Sequence, residues 1–337
     1  MSLGRAWHHP LEHKLKQAST AGFRGIEIFY EDLEYFARSL PGFENSNKDG
    51  PLPSTQLVAA AIQIRKLCSD LNLEIIGLQP FLFYEGLLDR AEHAKRIEKL
   101  HVWFEIADAL DVDIIQIPSN FLPAAQLTGD VDAIVADMLE VADLGAERAT
   151  PIRFAYENLC WGTHVDTWEQ AWEVVRRVDR ANFGLCLDTF NIAGRVWADP
   201  ASPDGKVEDA DQALDASLKR LVEVVDVSKV FYIQLVDAER LEAPLVDGHP
   251  YYAKDQPARM SWSRNARCFM YESERGAYLP VEKVAKAIVD GLGYKGWVSM
   301  ELFSRTMSDP RAEVPPEHAT RGIRSWEKTV DALALDV

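Results

Sequence analysis

Seven short, nearly all-apolar runs recur along the chain, and long amphipathic stretches separate them. The runs are Gly25–Glu31 (GIEIFYE), Glu74–Pro80 (EIIGLQP), Ile114–Asn120 (IIQIPSN), Arg153–Cys160 (RFAYENLC), Phe183–Asn191 (FGLCLDTFN), Val230–Ala238 (VFYIQLVDA) and Gly296–Ser304 (GWVSMELFS). Helical patterns include Leu87–Leu110, Val131–Glu147, Thr167–Arg180, Asp211–Val227, Pro280–Leu292 and Pro316–Leu335. Strict alternation of strand and helix predicts a parallel sheet with crossover helices. An eighth, leading strand would have to be Met1–Gly4, a stub that is either trimmed or unusually brief. Eight β/α units predict a closed (β/α)8 TIM barrel, and the 337 residues read as one such domain, 1–337. The competing architecture is an open doubly wound sheet, but no glycine-rich phosphate turn opens a helix.

Loop lengths give the barrel a direction. Helix-to-strand links such as LNLE, LDVD and GYKG are terse, whereas long strand-to-helix loops are expected at 39–55, 194–210, 239–279 and 305–315. Barrels place their chemistry at the C-terminal strand ends, where these loops cluster. A faint repeat, AGFRGIEIF against LGYKGWVSMEL, marks a shared βα unit and carries no chemistry.

The formal charge of −17 disfavours nucleic acid as a partner. No apolar run is long enough to span a membrane, and the first residues lack a secretory pattern. Cys68, Cys160, Cys186 and Cys268 show no disulfide or metal spacing, so a reducing, cytoplasmic location is expected.

Late in four consecutive runs stand Glu157, Asp188, Gln234 and Glu301. Taken singly, each has an ordinary explanation: Asp188 as a helix cap, the glutamates as partners of an arginine, Gln234 as a loop anchor. Together, three carboxylates and an amide inside buried strands call for a compensating cation. An all-oxygen set suits Mn²⁺ or Mg²⁺, tolerates Co²⁺ and is less natural for Zn²⁺. Arg264, in SWSRNAR, can grip a substrate carboxylate or equally well hold its own loop by a salt bridge. Glu27, Glu31 and Gln79 line the mouth or cap helices, and Tyr84 and Trp262 form an aromatic floor or simply pack. None of the eight histidines lies in a strand run, which disfavours a multinuclear zinc site. Nor is there a GxSxG elbow or a Ser/His/Asp or Cys/His arrangement.

The four-ligand pattern resembles the xylose-isomerase-like barrels. Within them, SLGRAW, GFRGIEIFYEDLE, LQPFLFYEGLLDR, QIPSNF, CLDTFNIAGRVWADP and SRNARCFMYESERGAYLP closely resemble the fungal-type 3-dehydroshikimate dehydratases over nearly the whole chain. There is no room for the dioxygenase-like domain fused to some bacterial relatives. The resemblance implies one divalent metal on Glu157, Asp188, Gln234 and Glu301. It implies a small carboxylated ring substrate met by Arg264 and Ser261, with Tyr84 and Gln79 beside it. It also implies a metal-dependent hydro-lyase reaction, through an enolate, from 3-dehydroshikimate to protocatechuate. Bacterial members often carry His at the position of Asn191; an amide is no general base, so Asn191 is expected to orient a substrate oxygen while Glu157 and Glu301 serve catalysis. The runner-up is a ketose or hydroxypyruvate isomerase or epimerase on the same metal, and behind it a barrel that senses rather than catalyses. Association with a second copy of the chain, as a homo-oligomer, stays open.

Overall fold

The computed structural model describes residues 1–41 and 50–335. Seven parallel strands form one sheet in the order β1 (Gly25–Phe29), β2 (Glu74–Gln79), β3 (Ile114–Pro118), β4 (Arg153–Glu157), β5 (Phe183–Asp188), β6 (Val230–Gln234) and β9 (Val298–Ser299). A separate antiparallel pair, β7 (Asp237–Ala238) with β8 (Arg267–Cys268), lies in the connection between β6 and β9. Helices between successive sheet strands wrap the outside, as the alternating pattern predicts, so the open doubly wound alternative does not hold.

The leading strand is the main departure. Met1–Gly4 forms turns rather than a strand, and β9 and β1 share no ladder. Instead Ser299 Oγ donates to the Glu27 carboxylate across the seam. A cavity of about 600 Å³ opens there, bordered by Leu15, Ile26, Glu27, Gln79, Ser299 and Glu301 among others. Ser2 spans the top of the seam: its hydroxyl donates to Met300 O (3.2 Å) and accepts from Leu302 N (3.0 Å). The Met1 ammonium pairs with Asp32 at 2.7 Å, and Lys14 binds the same carboxylate.

Successive side chains on a strand face opposite ways. Phe154 and Tyr156 of β4 face outward into the large core shared with the helices. Ile114, Ala155, Cys186 and Tyr232 face inward and close the barrel as a small second cluster. Two residues further along β3, β4, β5 and β6, the same inward face carries Gln116, Glu157, Asp188 and Gln234. Cross-strand register sets Asp188 opposite Gln234 and Pro118 opposite Glu157, while Gln116 stands opposite Ala155 and reaches Glu157 through its side chain. An apolar plug therefore supports a polar layer at the C-terminal ends. Burying each large outward side chain stabilises by about 1.5–3 kcal/mol, and the outward face offsets the polar layer.

Strand ends follow local chemistry. β1 stops at Phe29, earlier than the apolar run suggests, because a helix begins at Tyr30 with Glu31 and Asp32 in its first turn. Glu31 is thus helical and does not end a strand. The stretch 39–55 links that helix to the helix Ser54–Asp70, and its residues 42–49 lie outside those described. The expected 194–210 loop is shorter, since the helix Thr189–Val196 follows β5 directly. The 239–279 insertion holds the helix Ala258–Ala266 and β8. Asp237 fastens its return, accepting from the backbone N–H of Tyr278 (3.2 Å) and Leu279 (2.9 Å). In the 305–315 segment a short 3₁₀ turn, Arg305–Ser308, precedes the last helix, Val314–Leu333. Among the described residues no helix is long and apolar enough to cross a membrane.

Candidate metal centre and active site

Glu157, Asp188 and Glu301 converge in the polar layer, each offering one oxygen within 4.8 Å of the others. All three are buried. Glu157 ends β4, Asp188 ends β5, and Glu301 follows β9 by two residues. Burial first, then repulsion from Glu301 and Asp188, holds the Glu157 carboxyl well above the usual carboxylate range. Burial pushes Glu301 up to about 8, against the pull of the Arg267 guanidinium.

Asp188 divides its oxygens between two tasks. Oδ1 caps the helix Thr189–Val196, accepting from Phe190 N (2.6 Å) and Asn191 N (3.2 Å). Oδ2 faces the site, where it accepts from Arg267 Nη1 (2.8 Å) and Asn191 Nδ2 (3.2 Å). The cap reading holds for Oδ1, and Oδ2 is left to face the other carboxylates.

The Asn191 side chain is engaged within the protein. Its amide donates to Glu157 Oε1 (2.8 Å) as well as to Asp188, and its own oxygen accepts from Cys160 N (3.0 Å). With both N–H groups and the carbonyl so occupied, it orients carboxylates. Gln116 completes this bracing by donating to Glu157 Oε2.

Gln234 supplies the test of fit for a cation. Its Nε2 donates to Glu27 (3.2 and 3.3 Å), while its Oε1 is buried without a partner. An orphaned carbonyl-type oxygen beside three carboxylates is a costly arrangement unless a cation meets it. Four oxygen donors of this kind fit a hard divalent ion. Gln79 also reaches this layer, donating to Glu27 at 2.7 Å.

The arginine in contact with the inner carboxylates is Arg267; Arg264 makes no contact with them. Arg267 is 2 % exposed; its Nη1 lies 2.8 Å from Asp188 and 3.3 Å from Glu301, and Phe190 packs under its guanidinium. Ser263 Oγ accepts from its Nε at 3.0 Å. Arg264, on the helix Ala258–Ala266, is exposed, lies close enough to Arg5 to feel its charge, and meets Gln256 at 3.1 Å. Ser261 is buried, and its backbone oxygen accepts from Asn265 (2.8 Å); the serine touching the site arginine is Ser263. Arg267 carries a readable signal: a cation set among apolar neighbours in ARCFM, the same oddity that marks Glu157 and Glu301.

Tyr84 also lies elsewhere. Its hydroxyl donates to the Asp137 carbonyl (3.0 Å) and Glu140 (3.3 Å), outside the sheet on the helix Val131–Ala146. Trp262 packs on Phe190, ring centroids 4.8 Å apart, and donates to Glu239 O, so it roofs the Arg267 side of the layer. Gln116 went unread because an amide inside IIQIP offers no charge to flag it.

A profile of the xylose isomerase-like TIM barrel matches residues 15–329. The chain belongs to that family. It is 55% identical over 338 residues to a 3-dehydroshikimate dehydratase of Neurospora crassa, covering 100% of this chain and 94% of that one. A 3-dehydroshikimate dehydratase of Pseudomonas aeruginosa is 30% identical over 96% of this chain, which spans 41% of that relative. Among solved structures, a xylose isomerase-like TIM barrel/4-hydroxyphenylpyruvate dioxygenase fusion protein superposes with a TM-score of 0.70 at 25% identity, over 96% of this chain and 41% of that one.

Proposed function

We propose that this protein is a hydro-lyase converting 3-dehydroshikimate to protocatechuate with one divalent cation. The observation that carries the reading is a converging, undercompensated carboxylate set in a chain 55% identical, end to end, to a dehydratase of that substrate. Glu157, Asp188 Oδ2, Gln234 Oε1 and Glu301 would hold the ion, Mn²⁺ or Mg²⁺ with Co²⁺ tolerated. Bound there, the cation supplies Lewis-acid stabilisation of negative charge on an adjacent substrate oxygen.

The chain's own groups do the rest. A proton must leave the carbon next to the ketone, the β-hydroxyl must depart with a proton as water, and a further proton loss makes the ring aromatic. Atoms balance without an oxidant. Glu157 and Glu301 carry the proton transfers at their carboxyl oxygens, a contribution of roughly 10²–10⁴-fold. Asn191 and Gln116 fix the Glu157 carboxylate, and an amide at 191 takes no proton itself. Arg267 donates to substrate oxygens at the inner end. For the substrate's carboxylate the rim offers two cations that form no ion pair among the described residues. Arg5 reaches Met1 Sδ (3.4 Å) and leaves Nε unpartnered, and Arg264 meets Gln256. Phe303 links the two levels, with Arg5 and Arg267 at 6.0 and 5.4 Å from its ring centroid.

Four buried free cysteines suit a cytoplasmic setting. The partner is a small carboxylated ring substrate, not nucleic acid or membrane, with a second copy of the chain admissible, and the whole folds as one domain. Purified protein with Mn²⁺ or Mg²⁺ and 3-dehydroshikimate is expected to yield the ultraviolet absorbance of protocatechuate. Silence in that assay, with turnover of a ketose or hydroxypyruvate, would replace this reading by the isomerase one.

A further inference from the structure

We infer that Glu27 is a positioning residue of the cation site: its carboxylate selects which end of the Gln234 amide faces the ion. The inference rests on the proposed cation site and names a residue outside its ligand set. Glu27 stands on β1, across the barrel seam from β9, and is not among the carboxylates that converge on one point. Its hydrogen-bond partners are donors: Gln79 Nε2 (2.7 Å), Gln234 Nε2 (3.2 and 3.3 Å) and Ser299 Oγ.

Burial raises the Glu27 carboxyl above the usual range and the donors Ser299 and Gln234 oppose that shift; a carboxyl met on both oxygens by donors serves as an acceptor. It therefore rewards the amide orientation that turns Nε2 toward β1. The reverse orientation would set Gln234 Oε1 against a carboxylate and aim an N–H group at Glu157, Asp188 and Glu301, where a cation would be repelled. The hydrogen bonds of Nε2 all go to Glu27, so no other group holds the choice. The orphaned state of Oε1 follows from this choice, because the amide is pinned with its oxygen facing inward. Gln79 and Ser299 fix the Glu27 carboxylate in turn, which makes the arrangement stiff rather than a chance contact.

Groups that orient a metal ligand are worth about 10–100-fold in metal affinity when removed. Titrating Mn²⁺ calorimetrically into metal-free protein gives the test, with the metal-free melting temperature read alongside. Glu27→Gln is expected to weaken Mn²⁺ binding by about 10–100-fold while the metal-free protein melts no lower than wild type. Adding Gln234→Glu to it should recover at least about tenfold, since a carboxylate at 234 presents an oxygen either way round and Glu27→Gln can donate to it. Unchanged Mn²⁺ affinity in Glu27→Gln, or a double variant no tighter than the single, overturns the inference. Wild-type protein that binds no Mn²⁺ overturns the cation site itself, a separate outcome.

Discussion

Among the described residues two clusters gather acidic side chains with metal-ligand spacing, and they are built on opposite principles. Outside the barrel, His93, Asp137 and Glu140 come together. Asp137 takes a forked Arg90 (2.8 and 3.3 Å) and the Gly86 N–H (2.8 Å), and Glu140 takes His93 Nε2 (2.6 Å) and the Tyr84 hydroxyl (3.3 Å). Its carboxylates are matched by donors, two of them cationic or able to be. Inside the barrel, Glu157, Asp188 and Glu301 face one guanidinium, that of Arg267, with Glu27 nearby, and the amide oxygens of Gln116 and Gln234 are left over. The first cluster is electrostatically closed and holds a loop to a helix. The second is open, and its deficit is what a cation and substrate would fill. Spacing alone cannot separate the two; the surplus of acceptors does.

The sharpest way to break this contrast is to remove an inner ligand. Glu157→Ala or Glu301→Ala is expected to abolish both metal retention, by elemental analysis, and turnover. A variant with normal metal content and rate would make the inner cluster as structural as the outer one. Next in size, Arg267→Ala should lower kcat/KM by about 10²–10³-fold, the scale for a positioned donor at a reacting oxygen. Arg264→Gln should chiefly raise KM and leave metal content intact; a larger loss there than at 267 would restore the arginine first suggested by sequence.

The pH dependence of cation affinity is a finer probe. The carboxyls of Glu157 and Glu301 are raised in the metal-free fold, Glu301 to about 8, so each must shed a proton to bind. Mn²⁺ affinity should therefore climb as pH rises from about 5 to about 8, by up to roughly tenfold per unit for each proton released. Metal-free stability runs the other way: a raised carboxyl binds more protons folded than unfolded, so its contribution fades as pH rises through the same window. Flat profiles in calorimetry and melting would remove the claim that the inner cluster is strained. The smallest effects are opposite in sign. Glu157→Gln should raise metal-free stability, whereas Asp137→Asn should lower it by about 1–3 kcal/mol by breaking a compensated pair. Two denaturation curves decide it.

The sequence made the strands legible because a buried parallel sheet writes long apolar runs, and alternation then tells which side chain turns inward. Glu157, Asp188, Gln234 and Glu301 follow from that local rule. Arg267 did not, since the helix Ala258–Ala266 ends just before it and the chain turns into β8, where packing on Phe190 holds the guanidinium inward. Tyr84 failed for a like reason: after β2 the chain leaves the barrel, and the pull of Asp137 and Glu140 carries the hydroxyl outward. Asn191 was half legible, placed at the site by its spacing from Asp188, but its bond to Glu157 was not, because that residue lies 34 positions away.

The seam between β1 and β9 is the place where the barrel wall lacks a backbone ladder. Elsewhere the wall is stitched by backbone ladders, but here a side-chain bridge from Ser299 to Glu27 joins its two edges. The same carboxylate holds the Gln234 amide, so opening the wall and loosening the ion's cradle become one event. Amide protons along β1 and β9 should exchange with solvent at rates that follow cation release, and loading the site would fasten the staves of the barrel from within.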